Sequence, residues 1–197
     1  MMRWVLQVCL LLLLAACGGT TPALLPLKNT VAEDITGALY AQDFALTDHT
    51  GKPRKLADFR GKVVAIFFGY THCPDVCPTT LYDFSQAMKL LGKDADRVQV
   101  LFVTLDPQRD TPKMLAQYVP AFNAKFLGLY ASAADTASLA KSYQIYYRAQ
   151  VADKSGDYSI DHSAFTYIYD AQGRLRLKMP FAEPATDIAS DLRQLLR

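Results

Sequence analysis

The stretch Val63-Val64-Ala65-Ile66-Phe67-Phe68-Gly69-Tyr70-Thr71-His72-Cys73-Pro74-Asp75-Val76-Cys77-Pro78 decides how this chain is read. It opens on a continuous apolar run, Val63 to Phe68, the mark of a strand buried on both faces of a sheet. Pro78 suits the first turn of a following helix, where a missing N–H costs nothing. Leu81, Phe84, Ala87, Met88 and Leu91 give that helix an apolar stripe, and Gly92 ends it. Cys73 and Cys77 therefore stand where a strand hands over to a helix N-terminus. Unpaired N–H groups and the positive end of the helix dipole favour a thiolate there. The spacing predicts both cysteines on one helical face, close enough to share a metal ion or to close a disulfide. The pair is a metal clamp, a redox pair, or both. A purely structural disulfide is the bland alternative, but so short a loop gains little stability from closure.

Outward from this stretch, strands and helices alternate. Asp43 to Thr47 alternates apolar and polar residues, turns at Asp48-His49-Thr50-Gly51-Lys52-Pro53, and leads to a second short segment ending at Phe59, which predicts a β-hairpin. Val98 to Leu105 is the next strand, broken by Asp106-Pro107, and Thr111-Pro112 sets an N-cap for a helix through about Phe122. Phe126 to Tyr130 reads as a strand and Ala134 to Tyr143 as a helix. Phe165 to Tyr169 and Leu175 to Met179 form a hairpin turned at Asp170-Ala171-Gln172-Gly173, and Thr186 to Leu196 closes the chain as an amphipathic helix. This order predicts an α/β fold with a central mixed sheet flanked by helices.

At 197 residues, with 51% hydrophobic and 20% charged residues, the chain fits one domain behind its leader. The formal net charge is only +2 and no basic block appears, which argues against nucleic acid as a partner. Arg3 precedes an apolar run from Trp4 to Ala16, shorter than the roughly 20 residues of a spanning helix, so residues 1–16 read as a secretory signal peptide. Its end, Leu14-Ala15-Ala16-Cys17, resembles the lipobox of bacterial lipoproteins. That resemblance implies cleavage before Cys17 and lipidation of it, anchoring an exported protein to a bacterial membrane that faces the periplasm or the cell exterior. Gly18 after Cys17 leaves outer-membrane sorting open. Residues 17–40 then read as the lipidated N-terminus and a flexible tether, and 41–197 as the folded domain. Cys9 leaves with the signal and Cys17 is capped, so Cys73 and Cys77 are the remaining thiols, in an oxidising compartment.

Two thiolates cannot fill a metal shell, and the histidines are His49, His72 and His162. His49 lies in a polar turn and reads as an exposed loop residue. His72 adjoins Cys73, and neighbouring side chains usually diverge. His162 sits at the entry to a β-type segment, from which a loop can face the cysteines across the top of the sheet. Spacing alone leaves it open as a ligand or as a histidine bonded to backbone.

Phe67 to Pro78, Thr104-Leu105-Asp106-Pro107-Gln108-Arg109-Asp110-Thr111-Pro112 and Asp161-His162-Ser163 together resemble the SCO/SenC family of copper-binding assembly factors for cytochrome c oxidase. The resemblance runs from about Asp43 to the C-terminus. It implies a thioredoxin-like fold, with copper, Cu(I) or Cu(II), held by Cys73, Cys77 and His162. It also implies a copper-accepting subunit of the oxidase and a copper donor protein as partners. Thiolates suit Cu(I), the imidazole helps Cu(II), and an open fourth position allows transfer. A structural zinc site would want four protein ligands. Asp75 and Asp161 are candidates for orienting the ligands, with turn formation as the alternative. Asp106, Asp110 and Thr111 read first as a strand stop and a helix cap, and Arg109 as a charge on a docking surface. The expected function is a membrane-tethered copper chaperone whose Cys73 and Cys77 can also form a disulfide. The rival is a thiol-disulfide reductase in which Cys73 attacks, Cys77 resolves and His162 is dispensable. A thiol peroxidase or a copper or redox sensor is a third reading.

Overall fold

A computed structural model describes residue 24 and residues 27–197. The expected signal peptide, Cys9 and the lipidated Cys17 lie outside the described residues.

An eight-stranded mixed sheet runs in the order β1-β10-β9-β4-β5-β6-β2-β3. Its centre is β4 (Val63–Gly69), β5 (Val98–Thr104) and β6 (Leu127–Tyr130), paired in parallel. β9 (Thr166–Tyr169) lies antiparallel to β4, and β10 (Leu175–Met179) antiparallel to β9. β2 (Ala45–Asp48) and β3 (Pro53–Lys55) form the hairpin at the far edge. Every residue of β4 and β5 is buried, because helices cover both faces. Val63, Ala65 and Phe67 pack towards Leu81 and Phe84 of α1 (Val76–Leu91), Leu115 and Val119 of α2 (Pro112–Phe122), and Ile188 and Leu192 of α4 (Ala185–Leu195). The alternate residues Val64, Ile66 and Phe68 meet Ala140 of α3 (Ala133–Ser142) with Tyr143, Phe44 and Leu46. The strand period of two thus divides one apolar run between two cores.

The helix ends follow the expected chemistry. Thr111 caps α2, its hydroxyl accepting the Met114 N–H at 3.3 Å. Gly92 closes α1 with φ +58°, a left-handed value that costs glycine least.

Several elements differ from expectation. Leu56–Phe59 is a 3₁₀ turn rather than the end of a strand, burying Leu56 and Phe59. A flexible tether through residue 40 does not hold for its last part. Val31 and Ala32 donate their N–H groups to the buried Asp191 of α4 at 3.3 and 2.9 Å, and β1 (Glu33–Asp34) pairs with β10. The segment is strapped by partners distant in sequence, which no local period reveals. A separate two-stranded ribbon, β7 (Tyr147–Ala149) with β8 (Ile160–His162), was likewise not expected, and it carries His162.

Asp48 holds the edge hairpin's turn. Its buried carboxylate accepts the Thr50 N–H at 2.8 Å, the Thr50 hydroxyl at 2.6 Å and Arg54 Nε at 2.7 Å. Burial by itself would raise its pKa, but the Thr50 hydroxyl, Arg54 and the N–H groups of Lys52 and Thr50 hold it down at about 2. That lies below the unfolded carboxyl value of about 3.9, so its stabilisation is complete above that value and disappears as pH falls towards the folded pKa. Asp48→Asn should remove roughly 2 kcal/mol at neutral pH and flatten the stability loss between about pH 4 and pH 2. Urea midpoints across that range test this; parental acid sensitivity in the variant contradicts it.

Candidate metal centre

β4 ends at Gly69, where the packing leaves no room for a side chain. A Cβ on Gly69 would stand 2.7 Å from Cys77 Sγ and 2.9 Å from the Phe102 ring. The chain then turns through buried Tyr70 and half-buried Thr71 to Cys73 before α1 begins at Val76. Cys73 is therefore outside the helix, a correction to the expected shared helical face. It sits on the helix mouth instead, where its sulfur accepts the Cys77 N–H at 3.4 Å.

Asp110, only 1% exposed, fixes this turn. Its carboxylate accepts the Thr71 N–H at 2.9 Å, the Thr71 hydroxyl at 2.5 Å and the Thr104 hydroxyl at 2.6 Å. The cysteine turn is thereby stapled to the end of β5. By sequence Asp110 reads as part of a helix cap; nothing in its local pattern points to Thr71, 39 residues away.

His162 reaches the cysteines from the β7–β8 ribbon. Its Nδ1 lies 2.9 Å from the Ser163 carbonyl, which can only accept, so Nδ1 carries the proton. In the neutral ring that leaves the Nε2 lone pair facing Cys77 Sγ at 3.6 Å. Phe67 and Tyr70 flank the ring edge-on at 6.1 and 6.0 Å. Cys73, Cys77 and His162 bring their ligand atoms within 4.8 Å of one another, the one such cluster among the described residues. Cys77 is wholly buried, whereas Cys73 and His162 line an open cleft of about 330 Å³ with Tyr70, Pro74 and Ile160. A soft cation held there is gripped from inside and reachable from outside.

Both cysteines are free thiols, and their environments differ. Hydrogen bonding from Cys77 holds the Cys73 pKa well below the ordinary thiol range against a smaller opposing push from burial, with further help from the N–H groups of Asp75 and Cys77. Cys77 is pushed far up, first because Cys73 takes the negative charge, then by burial. The pair shares one proton, and the accessible sulfur carries the charge.

The other candidates fall away from the centre. His72 is exposed and lies 3.7 Å from Asp110, and His49, expected to be exposed, is half-buried and accepts the Gly128 N–H at 3.0 Å. The Asp75 carboxylate bonds Thr79 and that of Asp161 bonds Gln150, and neither meets a ligand side chain in any hydrogen bond. Asp75 serves Cys73 through its backbone N–H alone. Arg109 is no docking charge, for its side chain is 18% exposed and lies between Asp106 and Asp157.

A dithiol and an imidazole at the helix-bearing end of a thioredoxin-like sheet define the class of this protein. The chain belongs to the SCO1/SenC family, whose sequence model matches residues 32–197. It is 40% identical over 154 residues to Bos taurus protein SCO2 homolog, mitochondrial, covering 77% of this chain and 58% of the relative. It is 37% identical over 134 residues to Schizosaccharomyces pombe protein sco1, covering 66% and 51%. The chain thus spans little more than half the length of these relatives. Among solved structures it is similar to Bradyrhizobium japonicum ScoI with copper bound, at TM-score 0.73 and 40% identity, over 81% of this chain and all of that one. Yeast Sco1 with copper bound aligns at TM-score 0.70 and 28% identity, over 84% of this chain and 87% of that one.

Two outcomes follow from this geometry. Alkylation of the metal-free protein by iodoacetamide should modify Cys73 alone, at a rate nearly constant between about pH 6 and 9 because the thiolate is already formed. A rate rising tenfold per pH unit would show an ordinary thiol. Gly69→Ala should cost about 1–3 kcal/mol in urea unfolding as Cys77 and Phe102 are forced apart; an unchanged midpoint would show that the turn yields.

Proposed function

We propose that this chain binds copper through Cys73, Cys77 and His162 and passes it to the binuclear copper site of cytochrome c oxidase. The observation that carries the reading is the convergence of two sulfurs and an imidazole within 4.8 Å, one sulfur sealed and the other side open. Such a mixed sulfur and nitrogen set suits both copper oxidation states, while three ligands fall short of a structural zinc site. Copper-bound relatives of the same fold support the choice of metal. A copper donor protein and the copper-accepting subunit of the oxidase are the partners of this reading. An exported chain tethered by lipid at Cys17 would search the membrane surface at raised effective concentration. Among the described residues no helix is long and apolar enough to cross a membrane.

The asymmetry of the thiols favours a second activity at the same pair. Cys73, as thiolate, would attack a disulfide of the acceptor, expelling one acceptor thiolate and forming a mixed disulfide. Cys77 would lose its proton and attack the Cys73 sulfur, closing the Cys73–Cys77 disulfide and releasing the second acceptor thiolate. Two electrons pass to the acceptor, and an external dithiol restores the pair.

His162→Ala separates the two. Anaerobic titration of the variant should show Cu(II) affinity reduced by more than about 100-fold, a larger loss than altering a residue that merely orients a ligand. Its rate of reducing a disulfide substrate should stay close to the parent's. Parental Cu(II) affinity in His162→Ala sinks the ligand assignment.

A further inference from the structure

The cysteine turn and the His162 ribbon are far apart in sequence, and one side chain stands between them. Arg109, on the loop after β5, places its guanidinium carbon 3.5 Å from the ring centre of Tyr158 and 5.9 Å from that of Tyr70. Tyr70 opens the cysteine turn, and Tyr158 lies two residues before β8. The fork is held on both sides, Nε by Asp106 at 2.5 Å and Nη1 by Asp157 at 2.6 Å. Tyr158 closes the circuit by donating its hydroxyl to Asp106 at 2.8 Å. Arg109 Nη2 finds no acceptor among the described residues, so part of the cation is met by ring faces instead of oxygen.

We propose that Arg109 is a positioning residue for copper binding: wedged between Tyr70 and Tyr158 and paired with Asp106 and Asp157, it sets how closely His162 approaches the two sulfurs. This rests on the reading of His162 as a ligand. The ribbon needs such a device because it stands apart from the main sheet, and among the described residues β7 and β8 each pair only with the other. Arginine suits the task where lysine does not, since its planar fork can stack on a ring and bond two carboxylates at once.

The test compares the parent with Arg109→Met, Arg109→Lys and His162→Ala. In the metal-free protein, Arg109→Met should speed amide exchange in β8 and at Ser163 by about tenfold while leaving β4 amides protected, the pattern of local opening. With Cu(II) added, its affinity should fall by about 10- to 100-fold, and nitrogen superhyperfine coupling in the paramagnetic spectrum should weaken or become heterogeneous. Arg109→Lys should recover only a minor part of both effects. Parental exchange, affinity and nitrogen coupling in Arg109→Met overturn the proposal. Should Arg109→Met lose β4 protection as well, Arg109→Lys decides by the same readouts, parental values overturning the proposal and faster β8 exchange with weaker copper sustaining it. If His162→Ala loses Cu(II) while Arg109→Met keeps it, the wedge alone fails. If His162→Ala keeps it, the ligand reading fails, and the exchange data still report on the wedge.

Discussion

The buried carboxylate of Asp110 is the constraint on which the centre depends. A charge removed from water must be met by donors, and three converge on it from Thr71 and Thr104. Satisfying that charge pulls the turn after β4 onto the end of β5, which sets Cys73 at the mouth of α1 and Cys77 behind it. Gly69 makes the close approach possible, since any larger residue would occupy the volume of the Cys77 sulfur.

From that placement comes the inequality of the two sulfurs. Cys77 is sealed among apolar groups, where a negative charge is costly. Cys73 faces the cleft and collects hydrogen bonds from the first turn of the helix. One shared proton is thereby partitioned so that the reachable atom is the charged one. The same inequality would suit metal capture or disulfide attack, because either begins with an accessible thiolate backed by a second sulfur. His162 adds an element that exchange alone does not need: a ring whose proton is committed to the Ser163 carbonyl and whose free nitrogen points at the pair.

Much of the fold was legible because its core strands are unambiguous. Val63–Gly69 is apolar throughout and Val98–Thr104 is apolar but for Gln99 and Thr104, and the caps at Thr111 and Gly92 are set by chemistry within a few residues. Short elements held by distant partners were not. β1, with two residues, exists through β10 and the Asp191 carboxylate, and the β7–β8 ribbon joins segments on either side of a loop. Arg109 reads as a surface charge in its own loop; only folding surrounds it with Tyr158 and Tyr70.

The chain's order of residues therefore determined the strand-to-helix junction and the two thiols upon it, because apolar runs, prolines and caps act over one or two turns. It also singled out His162, though only through the company of three motifs. Tertiary structure alone decided that Cys73 lies off the helix, that Cys77 is sealed, that Asp110 rather than Asp75 or Asp161 organises the site, and which ring nitrogen faces the sulfurs. The physical reason is range. Burial and hydrogen-bond satisfaction are properties of the whole packed molecule, and residues 39 and 85 positions apart meet only when the sheet brings their loops to one end.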